Sequence, residues 1–451
     1  MSRRRTAAGD VPGRVHRLRL PAAMRALAVR NFRLFLGGQL FSLTGRWMLV
    51  TGQDWLVIQL GGHGVALGIT TALQFAPVLM FSLWAGVVAD RRDKRRLLLV
   101  TQSSWALIAV LLAVLTLTGA ITLALVFLLA FALGTVNALD TPVRQSFVVE
   151  MVGPADVANA VALNSVCFNS ARIVGPSVAG LLIASVGTGP VFVGTAVSMM
   201  GVLSGLVRMR VAELHPAARV ARGRGQLVAG FAYVRSRPDL ALAIGLLGVV
   251  SLVGLNFPVT LALMAREDFS GGAQLYGAFS SALAVGAVLG ALAATRRGVP
   301  RQRTLVAGAA AFGVCETVAA LMPTPLAFGL ALVATGAAQL TLTTTALTTV
   351  QLGAGDQMRG RVMAIYLLVF LGATPIGGPL VGALCEGLGP RAGLLFGGVT
   401  SVLAAVVAGA LVLRANRCAG VDIDLAAAAH LPGWATQHLA VRSGSRQVSD
   451  D

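Results

Sequence analysis

The sequence predicts an all-α polytopic membrane protein, with twelve transmembrane helices in two six-helix bundles related by pseudo-symmetry. Three observations predict it. Apolar runs of spanning length recur throughout a chain that is 56% hydrophobic and 12% charged, with a mean hydropathy of +0.79. No soluble domain has that balance, and at roughly 35 residues per span and loop the length holds about twelve spans. Second, of the 36 Lys and Arg, all but Arg46, Arg172, Arg266 and Arg391 fall in the N-terminal arm, the loops after even-numbered spans, or the C-terminal tail. That alternation is expected when those segments share the cytoplasmic side. Third, Gly175-Pro176 in span five recurs as Gly378-Pro379 in span eleven, 203 residues on, and Gly86 finds a counterpart in Gly290. Such an internal repeat marks a transporter whose site lies between two halves.

In order along the chain, residues 1–30 read as a basic cytoplasmic arm. Spans one to six are expected near 32–60, 66–89, 97–117, 122–139, 159–186 and 191–207, making a first bundle over 31–207. A cytoplasmic linker, 208–239, follows. Within it Leu227, Phe231 and Val234 share one face of a short amphipathic helix, suited to the inner leaflet. Spans seven to twelve are expected near 240–264, 276–295, 305–321, 326–350, 362–384 and 392–413, a second bundle over 240–413. Residues 414–451 form a cytoplasmic tail. Both termini are thus placed inside the plasma membrane.

Composition also excludes function classes. The net charge of +18 sits where topology and anionic inner-leaflet lipid account for it, so no nucleic-acid partner is expected. The four Cys are scattered without a CxxC pair, and the five His lie in loops or tails, so no metal site or other cofactor is expected. No phosphate-binding Gly-rich loop with Lys and Ser/Thr is present, which argues against an ATP-driven pump. The alternatives to an exporter are a metabolite importer or uniporter, a transport-inactive sensor, or a membrane enzyme lacking any evident catalytic set.

The loop between spans two and three carries the densest signal. Gly86 to Arg96 packs Arg91, Arg92, Lys94, Arg95 and Arg96 behind Asp90, fixing that loop inside. A small residue at Gly86 lets another helix approach, and a carboxylate at a helix end seeks Arg or a helix N-terminus. Inside the spans, Arg46 and Asp54 lie eight residues apart on span one, about 12 Å along the axis and too far to pair directly. Glu316 is the other clear intramembrane acid. Such groups face a cavity or a partner, which makes Asp54 and Glu316 the proton-coupling candidates. Both also have a structural reading, as carboxyls held by neighbouring donors.

These stretches resemble the major facilitator superfamily over about residues 31–413. Gly86–Arg96 is similar to its signature loop Gly-x-x-x-Asp-Arg-x-Gly-Arg-Arg, with Asp93 in place of the second Gly. That departure is usual in the enterobactin-exporter-like, macrolide-efflux-like branch, the transmembrane secretion effectors. The same branch is resembled by Asn31-Phe32-Arg33-Leu34-Phe35, Gln53-Asp54-Trp55, Asp140-Thr141-Pro142-Val143-Arg144-Gln145, Asn164-Ser165 leading to Arg172 and Gly175-Pro176, and Met358-Arg359-Gly360-Arg361. The resemblance implies alternating access and, usually, export driven by the proton gradient, without identifying the cargo. A mixed polar and aromatic cavity suits a small amphipathic or lipophilic molecule (drug, siderophore or secondary metabolite), and a monomer is expected. The resemblance also implies a charge network in which Asp90 meets Arg144 and the start of span eleven, near Arg359 and Arg361, when the inner mouth is shut. Arg172 with Gly175 and Pro176 is similar to an antiporter element, and a packing kink is the plainer reading. Arg46 stands where relatives often carry a small or acidic residue, which ties it to the cargo. Polar residues in otherwise apolar spans supply further cavity candidates: Gln39, Gln74, Asn137, Asn164, Asn256 and Gln339.

Overall fold

The computed structural model describes residues 22–215, 226–294, 302–355 and 358–418. The first bundle comprises α1 (Arg30–Gln59), α2 (Gly64–Arg91), α3 (Lys94–Leu117), α4 (Leu123–Val152), α5 (Val157–Val186) and α6 (Thr188–Val207). The short α7 (Gln226–Ser236) leads into the second. That bundle contains α8 (Pro238–Val253) with α9 (Phe257–Leu263), then α10 (Ala273–Ala294), α11 (Gln302–Ala320), α12 (Pro325–Gly353), α13 (Arg359–Leu388) and α14 (Pro390–Cys418). Residues 1–21 of the basic arm and most of the tail lie outside the described residues.

Among the described residues, 11 segments are long and apolar enough to cross a bilayer, α8 and α9 counting as one. The twelfth is α1. Its 30 residues rise about 45 Å, but Gln39, Ser42, Arg46 and Gln53 dilute its hydropathy. Their spacing of three, four and seven puts them on one helical face, and all are buried against other helices. A span that hides a polar stripe inside a bundle does not look apolar in sequence.

Helix ends follow local chemistry. Asp93 caps α3 by accepting from the Arg96 amide at 2.9 Å, and Thr122 and Thr324 cap α4 and α12. Gly187 and Gly389 close α5 and α13, each with φ of 90°, a conformation other residues rarely take. These two glycines occupy equivalent places in the repeat.

Two expected spans differ in the structure. Span four was expected to end near 139, yet α4 continues to Val152 and carries Asp140 and Arg144 inside a helix. The charges are satisfied there by packing and ion pairs, and Phe147, Val148 and Met151 join Phe32, Phe35 and Leu206 in a buried apolar cluster. Span seven is broken. Gly254 to Asn256 interrupts it, Pro258 supplies no amide to continue the ladder, and Met264–Asp268 forms a π turn.

Within the bundles α1 packs on α5 and α6, α2 on α4, α10 and α11 on α12, and α8 on α13. Between them α2 lies along α13 and α5 along α10. Small residues make these two seams. A Cβ on Gly64 would strike the carbonyl of Gly382, one on Gly68 the carbonyl of Gly378, and one on Gly277 the carbonyl of Pro176. A Cβ on Gly180 would stand 2.6 Å from the Ala273 carbonyl. Both Gly-Pro repeats therefore sit at seams, where missing side chains let backbones touch. Every one of these approaches lies toward the arginine-poor ends of the helices.

Candidate transport site

Halfway along α1, Arg46 points into the first bundle. Its Nη1 donates to Asp140 Oδ2 of α4 at 2.8 Å, and the guanidinium lies 4.5 Å above the centre of the Trp105 ring of α3. Asp140 is the hub. Its other oxygen accepts from Thr101 Oγ1 and Gln102 Nε2, each at 2.8 Å, and Arg144, one turn along α4, stands 3.5 Å from Oδ2. Ser42 in turn donates to Gln102 Oε1. The carboxylate is fully enclosed, so these partners replace the water it has lost. The α4 helix makes this possible by carrying Asp140 and Arg144 four residues apart, on one face.

Donors outnumber acceptors at this centre. Arg46 Nε and Nη2 and Arg144 Nε are buried without a hydrogen-bond partner. Arg172 on α5 lies 5.8 Å from the Trp47 ring centre and makes no described ion pair. Trp47 in turn meets Phe168 edge to face.

Asp54 faces the other way, toward the second bundle. Tyr276 at the start of α10 donates its hydroxyl to Asp54 Oδ2 at 2.7 Å, and its ring stacks on Trp55. Further cross-bundle contacts cluster at the same end. The Val65 amide donates to Glu386 Oε2 at 3.1 Å, and Ser281 donates to the Ile173 carbonyl beside Ser177.

At the arginine-rich end the described bonds stay within each bundle. Lys94 pairs with Glu150 of α4, and Arg95 donates to the carbonyls of Leu206 and Val207 that end α6. Arg359 donates to the Gln351 carbonyl, and Arg361 to Met358 Sδ. Gly86, Asp90 and the exposed Arg91 lie in the last turns of α2; the Asp90 side chain is outside what is described. The network expected to join Asp90 with Arg144 therefore rests on a side chain outside the described residues. Arg144 instead stands beside Asp140, within α4 itself.

Other candidates scatter. Gln74 donates to Gln53 Oε1 inside the first bundle, and Asn137 accepts from Thr141. Gln39, Asn164 and Gln339 each keep an amide atom buried and unpartnered. Asn256 donates to the Leu252 carbonyl across the break in span seven. Glu316 is buried with Oε2 unpartnered, against Gly254 and Gly397. Sequence reasoning missed Tyr276, Thr101, Gln102 and Trp105, since nothing in their local pattern separates them from ordinary span residues.

Two pseudo-symmetric bundles of six spans, meeting at paired seams, define the fold of the major facilitator transporters. The solved nucleoside transporter NupG has a similar fold, with a TM-score of 0.68 at 15% identity over 85% of this chain and 99% of that one. A bacterial homologue of the lysosomal transporter Spinster, captured inward-facing and unoccupied, gives 0.64 at 16% identity over 86% and 96%. The profile of the transmembrane secretion effectors matches residues 22–449, and the chain belongs to that family of transporters. It is similar to the multidrug efflux pump Tap of Mycolicibacterium fortuitum, 28% identical over 83% of this chain and 94% of that one. It is also 33% identical to the staphyloferrin A transporter of Staphylococcus aureus, over 34% of this chain and only 38% of that protein.

Proposed function

We propose that this protein is a proton-coupled exporter of small organic molecules, working by alternating access, with both termini in the cytoplasm. Cation distribution supports the orientation: the loop holding Arg95 and the loop holding Arg359 then face inside. In that orientation the contacts between the bundles hold the outer mouth shut.

The observation that carries the reading is the one-sided join between the bundles. Asp54–Tyr276 and the glycine seams clasp the outer end, while the signature-loop cations bond inside their own bundle. Residues 31–207 and 240–413 would rock about the centre, and Asp90, Arg144, Arg359 and Arg361 would form the opposite clasp when the inner mouth closes. Asp54 would couple this movement to protons. Tyr276 donates to its carboxylate, and the same hydroxyl accepts from the protonated acid. Similarity to Tap and to the staphyloferrin A transporter supports a drug or siderophore-like cargo.

Everted membrane vesicles test this. Uptake of a fluorescent amphipathic dye on acidifying the lumen, abolished by collapsing the proton gradient, is expected. Asp54→Asn should leave insertion intact and remove the dependence on the gradient, and Glu316→Gln tests the second acid in the same assay. Uptake that ignores the gradient in wild-type protein would remove the coupling claim.

A further inference from the structure

Among the described side chains, the charge of the central cluster does not balance. Arg46 and Arg144 share one carboxylate, Asp140, and both of that carboxylate's oxygens are already engaged by Thr101, Gln102 and Arg46. Arg172 adds another cation on α5. The remaining described acids of the first bundle are committed elsewhere: Asp54 to Tyr276, Glu150 to Lys94, Asp156 to Arg25, and Asp93 to its helix cap. An uncompensated guanidinium deep in a membrane protein is costly, and Arg46 Nε and Nη2 and Arg144 Nε, all buried, forfeit hydrogen bonds as well. Indole rings under Arg46 and Arg172 offset only part of that cost.

From this excess of donors we infer that the cluster binds a carboxylate-bearing organic anion, with Arg144 and Arg172 reading the carboxylate and Trp47 and Phe168 covering an apolar body. Guanidinium suits the task because its planar fork matches a carboxylate with paired hydrogen bonds. Arg144 qualifies because its terminal nitrogens make no described bond inside the protein, and Arg172 because it has no described ion partner. Asp140 serves as a positioning residue that keeps the two cations on α1 and α4 together. The inference rests on the export reading for its cavity and narrows that reading's cargo to anions.

The test uses full-length protein in lipid nanodiscs, with the tryptophans beside Arg46 and Arg172 as reporters. The probes are trimesate, an aromatic tricarboxylate, and its uncharged triamide, at matched ionic strength. Trimesate should quench fluorescence saturably and the triamide should not. Arg172→Gln, which strands no partner, should weaken trimesate at least tenfold while the thermal midpoint stays unchanged. Arg144→Gln should weaken trimesate comparably, and Arg144→Lys should recover part of the affinity. Equal responses to both probes, or trimesate binding indifferent to Arg172→Gln and Arg144→Gln, would overturn the proposal. Dye export in vesicles is read separately: anion binding without export defeats the export reading and leaves this one standing.

Discussion

Tyr276 of the second bundle donates its hydroxyl to Asp54 of the first at 2.7 Å, and the stacked Trp55 shields the bond. A single hydrogen bond inside a membrane protein contributes about 0.6 kcal/mol on average, up to about 1.7. In a two-state transporter that is roughly a three- to eighteen-fold bias. Tyr276→Phe keeps the ring and deletes the bond. It should raise the population open at the arginine-poor end by that factor, read as a longer spin-label distance between the outer ends of α1 and α10. An unchanged distance distribution would show that the glycine seams alone hold that end.

The seams make a stronger prediction. At Gly68 and Gly277 an added side chain meets backbone of the opposite bundle, which has no rotamer with which to yield. Gly68→Val and Gly277→Val should each prevent closure of the arginine-poor end and abolish transport. Each bundle still buries its own core, so expression and helical content should be retained. Gly329, with nothing near its Cβ direction, is the control: Gly329→Val should transport normally.

Most of the architecture was readable because spans, cation alternation and the Gly-Pro repeat are each written locally. The breaks were not. Ending span four near 139 followed from taking Asp140 and Arg144 as loop charges. Their solvation comes from Thr101, Gln102 and Arg46 on helices far away in sequence, which no window on α4 contains. Tyr276 was invisible for the same reason, because its partner lies 222 residues away. Arg46 and Asp54 were readable as exceptional, since charges inside a span must have partners, but the partners' identities are tertiary facts.

Asp140 holds two guanidinium groups and accepts from α3, so its loss should be felt as stability. Asp140→Ala leaves Arg46 and Arg144 buried without a counter-ion and should cost about 3–5 kcal/mol. Removing a cation with it, in Arg46→Met with Asp140→Leu, replaces the pair by apolar groups and should recover much of that loss. Thermal unfolding in detergent checks the order: wild type, then the double variant, then Asp140→Ala lowest. A double variant below Asp140→Ala would mean that Arg46 supports the fold independently of the pair.

The last prediction concerns the interrupted span seven. Glu316 lies against two glycines: a Cβ on Gly397 would stand 2.9 Å from Oε1 and 3.0 Å from the Val253 carbonyl, and one on Gly254 would stand 3.1 Å from Oε2. The break at Gly254 and the notch at Gly397 thus make room for this carboxyl, and filling either should push it into the backbone. Gly397→Ala should cost about 1–3 kcal/mol, as overpacking does in a close-packed interior. Glu316→Ala empties the space that the new methyl needs. The double variant Glu316→Ala with Gly397→Ala should therefore lose less than the sum of the two single changes, by about 0.5 kcal/mol or more. Thermal unfolding of the four proteins in one detergent measures this coupling. Strict additivity would mean that Gly397 is small for the sake of Val253 and α8, and that Glu316 has no part in shaping the break.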